Sequence, residues 1–443
     1  MKRNAPSPLK LITALILVIT LLLTAVSCGI ELPPPDLSGT DSVTNRLLES
    51  DKIPEFDTSL FSSVELSFLS YYYKDLEDND TLAEKTVAAW VEFCGEVDTA
   101  DKEAVTLNLI DCYIYAIGDR YAFFRTPDES EDYSQDLSGN FVGIGVSVIR
   151  EDREMTVEVI SVEVDAPADR AGIKAGDFIV AVNGERIEDL GTLNMINKIK
   201  GEAGTEVSVT VLRGEEEITF TMTREHISET TVTYSMIAGG EVGYIKITGF
   251  KGNTAAQFIN AVDSREAEGA EAVIFDLRGN PGGLLDAVCN MLSYLVPDGT
   301  KIASFSNGKK PVYASSGSGK LEDKDHVLDI PAVVLCNSSS ASASELFAGA
   351  MRDYNDWGIL EATIAGEVTF KKGIMQSELS IGRKGHTLTL TVALYNPPSG
   401  ENFHEVGVIP DVLIPAPEED ADRAETDELY INTALGILGY NND

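Results

Sequence analysis

The sequence predicts an α/β core that is interrupted by a β-rich module and preceded by an α-helical N-terminal region. Three successive hydrophobic patterns carry that expectation. Before about residue 137, apolar side chains recur at helical spacing: Val87, Trp90, Val91 and Cys94 in one stretch, Val105, Leu109, Cys112 and Ala116 in the next. From about Gly139 the period is two, as in half-buried strands, with Val157 and Val159, then Val207, Val209 and Val211, then Ile218, Phe220 and Met222. Gly172, Gly176, Gly184 and Gly214 punctuate that stretch as turns. Beyond Thr230, short apolar strands alternate with helical segments, the pattern of a mostly buried sheet covered by helices.

In chain order the expected parts are a signal segment at 1–28, a tether at 29–55 and the helical region at 56–137. The β-rich module follows at 138–228, the α/β core at 229–417, and an acidic spacer with a closing helix at 418–443. Lys2, Arg3 and Lys10 flank an apolar run over residues 11–26, which is short for a membrane-spanning helix of about 20 residues and reads as a secretory signal. It ends in Ala25-Val26-Ser27-Cys28-Gly29, which resembles the bacterial lipoprotein cleavage site, where the cysteine becomes the lipid-bearing first residue. An uncleaved single-pass anchor is the alternative, and both place the body outside the cytoplasm. Pro33-Pro34-Pro35, followed by Ser, Gly, Thr and Asp, reads as a tether. In the core, strands are expected at 244–247, 272–277, 332–335 and 387–394, and helices at 255–262, 284–295 and 344–351. Leu429, Ala434, Leu435 and Leu438 mark the closing helix.

With 72 acidic against 34 basic side chains the formal charge is −38, which excludes nucleic acid as a partner, because a phosphate backbone is held by clustered Lys and Arg. The same charge leaves the N-terminal lipid anchor as the expected contact with a membrane. An apolar content of 43% excludes wholesale disorder. Four scattered histidines, with no HExxH or CxxC spacing, point to no metal and no other cofactor. Cys94, Cys112, Cys289 and Cys336 fall on apolar stripes or in apolar segments, where buried free thiols are expected rather than disulfides.

Three stretches can carry chemistry. Asp276-Leu277-Arg278-Gly279-Asn280-Pro281-Gly282-Gly283 lies between a strand and a helix; it reads either as a plain turn or as a loop whose amides face an anion. It is neither GxGxxG nor a P-loop, so nucleotide binding is not expected. Asn337-Ser338-Ser339-Ser340-Ala341-Ser342-Ala343-Ser344-Glu345 also joins a strand to a helix. Ser342 and Glu345 have the spacing of a capping box, yet a serine at a helix N-terminus is also where a nucleophile gains backbone donors. In Gly366-Glu367-Val368-Thr369-Phe370-Lys371-Lys372-Gly373-Ile374-Met375-Gln376, the lysine pair is either a solvated patch or the home of a buried amine. Such an amine, once neutral, can activate a serine without histidine.

The three stretches in this order, after a β-rich module, resemble the carboxyl-terminal processing peptidases, or tail-specific proteases. The module resembles their PDZ domain: Ala166-Pro167-Ala168-Asp169-Arg170-Ala171-Gly172-Ile173-Lys174-Ala175-Gly176-Asp177 and Val182-Asn183-Gly184 match its central signature. Gly143-Ile144-Gly145-Val146 stands where such domains hold a peptide carboxylate. The resemblance implies Ser342 as nucleophile, Lys372 as base, Gln376 as its orienting partner, and an oxyanion hole from the amides of Ala343 and Gly282, preferred over Gly283. It implies a serine endopeptidase acting outside the cytoplasm on proteins or peptides with free C-termini, and a homodimer.

Two features depart from the family pattern. Lys371 replaces the usual glycine before the catalytic lysine, and the segment around 355–362 looks longer than usual. They leave a non-enzymatic alternative, a PDZ-type scaffold at the cell surface whose protease domain has decayed. A histidine-based hydrolase using His226, His326, His386 or His404 is disfavoured, since no GxSxG elbow accompanies them.

Overall fold

The computed structural model describes residues 41–151, 156–306, 311–315, 326–382, 384–416 and 423–440. The signal segment with Cys28, most of the proline-rich tether and residues 417–422 of the acidic spacer lie outside the described residues. Among the described residues, no helix is long and apolar enough to cross a membrane. The chain forms two compact units. One comprises the chain up to Glu131 with Ile374–Ala393, the other Asp132–Ser306, Lys310–Gly373 and the chain from Leu394 onward.

The first unit is built on helices Thr58–Tyr71, Asn79–Phe93 and Lys102–Ile117. Each begins at an aspartate, Asp57, Asp78 or Asp101, whose carboxylate accepts from the amides of the first turn. Each such cap is worth about 1 kcal/mol. Their inner faces bury Phe61, Phe68, Leu82, Trp90, Leu109 and Tyr113 with Leu388 and Leu390 of the strand His386–Asn396. The stripe Val105, Leu109, Cys112 and Ala116 is buried as expected, but Val91 of the preceding stripe is 58% exposed. Helix Val43–Leu48 corrects the reading of 29–55 as tether throughout. Its first amides, Val43 N–H and Thr44 N–H, donate to the fully buried carboxylate of Glu65 at 2.7 and 3.1 Å, which anchors a helix N-terminus on a negative charge. The four cysteines among the described residues are free thiols. Cys94 Sγ lies 3.6 Å from Cys112 Sγ, and burial pushes the Cys112 thiol up to about 12.

In the second unit the β-rich module is an antiparallel sheet, in the order Val146–Glu151, Thr156–Val162, Phe178–Val182, Glu206–Arg213, Glu216–Thr223. The alternating valines 157, 159, 207, 209 and 211 all point into its core. Strand Asn140–Gly143 entering the module pairs with Glu225–Ser228 leaving it, so the insertion departs and returns at one place.

The α/β core is a six-stranded sheet in the order Val232–Ile237, Val242–Ile247, Ala272–Asp276, Ala332–Cys336, Ala362–Gly366, Val412–Leu413. The first pair is antiparallel and the rest are parallel. Ala272–Asp276 and Ala332–Cys336 are buried along their whole length, as a parallel sheet with both faces covered requires. On one face Phe275 meets Phe258 and Phe347, at ring separations of 5.5 and 5.6 Å. On the other, Ile274, Val333 and Leu335 meet Tyr430, Ala434 and Leu435 of helix Arg423–Ile437. That helix starts at Arg423, inside the acidic stretch 418–428 that the sequence reads as a solvated spacer, which is a correction to the expected boundary.

Candidate active site

In a parallel sheet, ligands collect outside the carboxyl ends of the strands. The three sequence stretches follow the adjacent strands that end at Asp276, Cys336 and Gly366, so the sheet order gathers segments that are distant in sequence. Side chains then lock the loops together. Asn337 Oδ1 accepts from Gly279 N–H at 3.0 Å, and Ser340 Oγ donates to Leu277 O at 2.8 Å. Ser344 Oγ and Ala341 N–H both donate to Asn280 O, at 2.9 and 3.0 Å. Beside them Arg278 makes a two-bond pair with the wholly buried Asp276, at 2.9 and 2.7 Å.

Ser342 stands at the turn between strand Ala332–Cys336 and helix Ala343–Asp356, with φ 56° and ψ −114°. A non-glycine residue there is strained by about 1–3 kcal/mol, so the surroundings must enforce it. Glu345, fully buried in the first turn of the helix, does so with four hydrogen bonds. One oxygen accepts from Ser342 N–H and Lys372 N–H, both at 2.8 Å, and the other from Thr369 Oγ1 at 2.6 Å and Lys371 N–H at 2.7 Å. Desolvation still holds this carboxyl above its ordinary range, against the pull of those bonds. Glu345 therefore fastens the Ser342 turn to the Lys372 segment. Its spacing from Ser342 was visible in the sequence only as half of a capping box, and nothing there pointed to Thr369 or the lysine amides.

The Ser342 hydroxyl meets Tyr395 Oη at 3.1 Å. Sequence reasoning passed over Tyr395, which lies 53 residues away with no motif around it that marks a catalytic role. Lys372 is partly buried whereas Lys371 is exposed, which separates the two members of the pair. Gln376 lies on strand Ile374–Ile381 in the first unit, and its Nε2 is buried with no partner among the described residues. Lys371 takes φ 81°, a left-handed conformation, which gives the physical reason for a glycine at that position. The additional residues before Ala362 follow the far end of helix Ala343–Asp356, about 20 Å from Ser342 at 1.5 Å per residue.

Gly282, the preferred oxyanion donor of the sequence reading, has its amide engaged within its own loop. Its N–H donates to Asn280 Oδ1 at 2.9 Å. What Gly282 supplies is room: a Cβ there would lie 2.7 Å from Ser342 Cβ and 3.1 Å from Ala343 N, blocking the approach to that amide. Among the described residues, neither Ala343 N–H nor Gly283 N–H has an acceptor. Of the histidines, His326 is held away from Ser342 by its own partners, while the ring nitrogens Nδ1 of His386 and His404 are buried with no partner among the described residues. The His326 ring contacts Tyr294 O and Glu266, and the His404 amide donates to Asn402.

In the PDZ-like module, the carbonyls of Ile144 and Gly145 are taken by Ala168 N–H and Glu163 N–H, both at 2.9 Å. The N–H groups of Ile144 and Gly145 have no acceptor among the described residues. Strand Val146–Glu151, which continues from this loop, is an edge of its sheet.

Peptidase family S41 matches residues 241–414, and the PDZ domain family matches residues 142–223. A "Probable CtpA-like serine protease" of Staphylococcus saprophyticus is 32% identical over 357 residues, 78% of this chain and 70% of its own length. Its namesake in Staphylococcus aureus strain N315 is 32% identical over 318 residues; this covers 72% of the present chain but 62% of that longer relative. The solved photosystem II D1 C-terminal processing protease is 25% identical and aligns with a TM-score of 0.46, over 84% of this chain and 93% of its own.

Proposed function

This chain belongs to peptidase family S41, and from that premise we propose that it is a serine endopeptidase that cuts extracytoplasmic proteins selected by their C-terminal tails. The observation that carries the proposal is Glu345, which holds the strained Ser342 turn and the Lys372 segment in one hydrogen-bonded unit. Ser342 Oγ attacks the scissile carbonyl carbon while the neutral Lys372 amine takes its proton, and the same proton then passes to the leaving amine. The carbonyl oxygen, now an anion, is received by Ala343 N–H and, in place of Gly282, by Gly283 N–H. Gln376, four residues beyond Lys372 in the chain, orients the amine, as in the family it resembles.

The tail adds as a strand to the edge Val146–Glu151, and its carboxylate is received by the loop Gly143-Ile144-Gly145-Val146. Two supports stand behind this role: the loop's two unengaged amides and the open strand edge that follows them. Lipid attachment at Cys28 and assembly as a homodimer complete the proposal, both carried over from the sequence resemblance. Incubating the purified chain with an unfolded protein that ends in apolar residues tests it. Cleavage by the wild type should vanish in Ser342→Ala and in Lys372→Ala, and full activity in either variant would sink the assignment.

A further inference from the structure

The nucleophile has a second attendant. We propose that Tyr395 is a catalytic residue of the same site, its phenol hydroxyl donating to Ser342 Oγ and stabilising the charge that develops there. The inference rests on the assignment of Ser342 as nucleophile. It begins from a side chain that is 97% buried with its hydroxyl on the reacting atom (relative exposure 3%), 3.1 Å from Ser342 Oγ and 3.3 Å from Lys372 O.

The phenol has one proton and these two acceptors. With the serine neutral, the carbonyl of Lys372 competes for that proton. As Ser342 Oγ–H gives its proton to the Lys372 amine, the oxygen becomes the stronger acceptor and draws the phenol proton toward itself. The atoms balance without further reagents. The serine proton goes to the lysine nitrogen, the Oγ–C bond forms as the carbonyl π pair moves to oxygen, and the tyrosine keeps its proton throughout. Complete burial raises the phenol well above its ordinary range, so it remains a donor at any working pH. When the acyl bond to Oγ later breaks, the same donor assists Oγ as the leaving atom.

The ring is held as a positioned donor must be. Tyr395 N–H donates to Gly373 O at 3.2 Å, and Asn402 Nδ2 donates to Tyr395 O at 3.0 Å and to Gly373 O at 3.2 Å. Phe403 packs edge-on against the ring, with centroids 5.4 Å apart at 87°. The strand that carries Tyr395 is thus tied to the residue directly after Lys372. A purely structural role would need only a partner for a buried hydroxyl, and the Lys372 carbonyl supplies one; the second contact, to Oγ, is what points to chemistry.

The test compares wild type and Tyr395→Phe by the rate at which a fluorophosphonate labels Ser342 across pH, alongside kcat and KM for a peptide substrate. The expected result is labelling and kcat reduced at least about tenfold, KM within about twofold, and a labelling profile displaced to higher pH. Melting temperatures are recorded on the same samples. Wild-type labelling and kcat in Tyr395→Phe at every pH would overturn the proposal while leaving the nucleophile intact. A wild-type protein that is not labelled at Ser342 overturns the underlying assignment and this proposal with it. Should the phenylalanine variant unfold, fluorinated tyrosines placed at 395 keep the shape and vary the acidity of the phenol. A labelling rate that follows that acidity supports the role, and one indifferent to it overturns the role.

Discussion

The two loops that would hold a peptide in this molecule are fixed by opposite means. The PDZ loop Gly143-Ile144-Gly145-Val146 is secured by its backbone: two of its carbonyls are taken by the amides of Ala168 and Glu163. Glycine at 145 lets the chain turn at φ 78°, with Ala166 Cβ where a side chain would go. The Ser342 turn is secured by a side chain, the carboxylate of Glu345 with its four donors. A loop of the first kind tolerates changes of side chain and fails when a Cβ is added. A turn of the second kind fails when one carboxylate is lost and tolerates an awkward backbone elsewhere. Mutation can test that contrast from both sides.

The largest effect should come from Glu345→Gln. Each oxygen of Glu345 faces two donors, so an amide NH₂ in place of either one sets N–H against N–H or O–H in a buried site. Misplacing catalytic groups by about 1 Å lowers turnover by about a hundredfold. We expect a fall of that order in kcat, equal for substrates with and without an apolar tail, with a lower melting temperature. Protonation should imitate the variant. Because burial holds the Glu345 carboxyl above its ordinary range, acidification turns one acceptor oxygen into a donor before exposed carboxylates titrate. Activity that stayed unchanged in the glutamine variant would show that the turn does not depend on this side chain.

Gly145→Val should act on the other loop with a smaller and more selective effect. Its Cβ would lie 2.3 Å from Ala166 Cβ, at a backbone angle that L-residues adopt only with strain of about 1–3 kcal/mol. Tail-peptide affinity, read by fluorescence anisotropy, should fall by about tenfold or more, which corresponds to about 1.4 kcal/mol. Turnover of a substrate without a tail should stay within about twofold of wild type. Equal losses for both substrates would mean that the module acts on the catalytic turn and not on recognition alone.

What the sequence made legible follows from the same contrast. Periodicity revealed strands and helices because burial repeats along the chain; two of the three motif loops follow an apolar strand read in this way, and the third stands out by its lysine pair. Glu345 was visible only through its nearest partner, three residues away. Its bonds to Thr369, Lys371 and Lys372 span 24 to 27 residues and arise from sheet order, which no local pattern encodes. Tyr395 was missed for that reason. A glycine needed for space and one needed for its amide look alike in a sequence, so the room that Gly282 leaves beside Ser342 and Ala343 could not be read there. The helix Val43–Leu48 was hidden because its anchor, Glu65, is a single charged residue in a later helix.

The smallest effect belongs to Lys371→Gly, and it probes the permissive side of the contrast. Lys371 holds φ 81° with its side chain exposed, while its N–H reaches Glu345 and its carbonyl accepts from Glu405 N–H at 3.0 Å. A left-handed L-residue costs about 1–2 kcal/mol, and part of that gain is offset in the variant by the greater freedom of glycine in the unfolded chain. Lys371→Gly should therefore stabilise the protein by about 0.5–1 kcal/mol, measured by denaturant titration, with kcat within about twofold. The neighbouring Lys372→Gly would remove the proposed base, so the pair separates backbone strain from chemistry at adjacent positions. If Lys371→Gly instead lowers kcat severalfold without loss of stability, the exposed ammonium contributes to the electrostatics of the site. The lysine would then be an adaptation of this chain's catalytic turn, and not merely a strained residue that the Glu345 network tolerates.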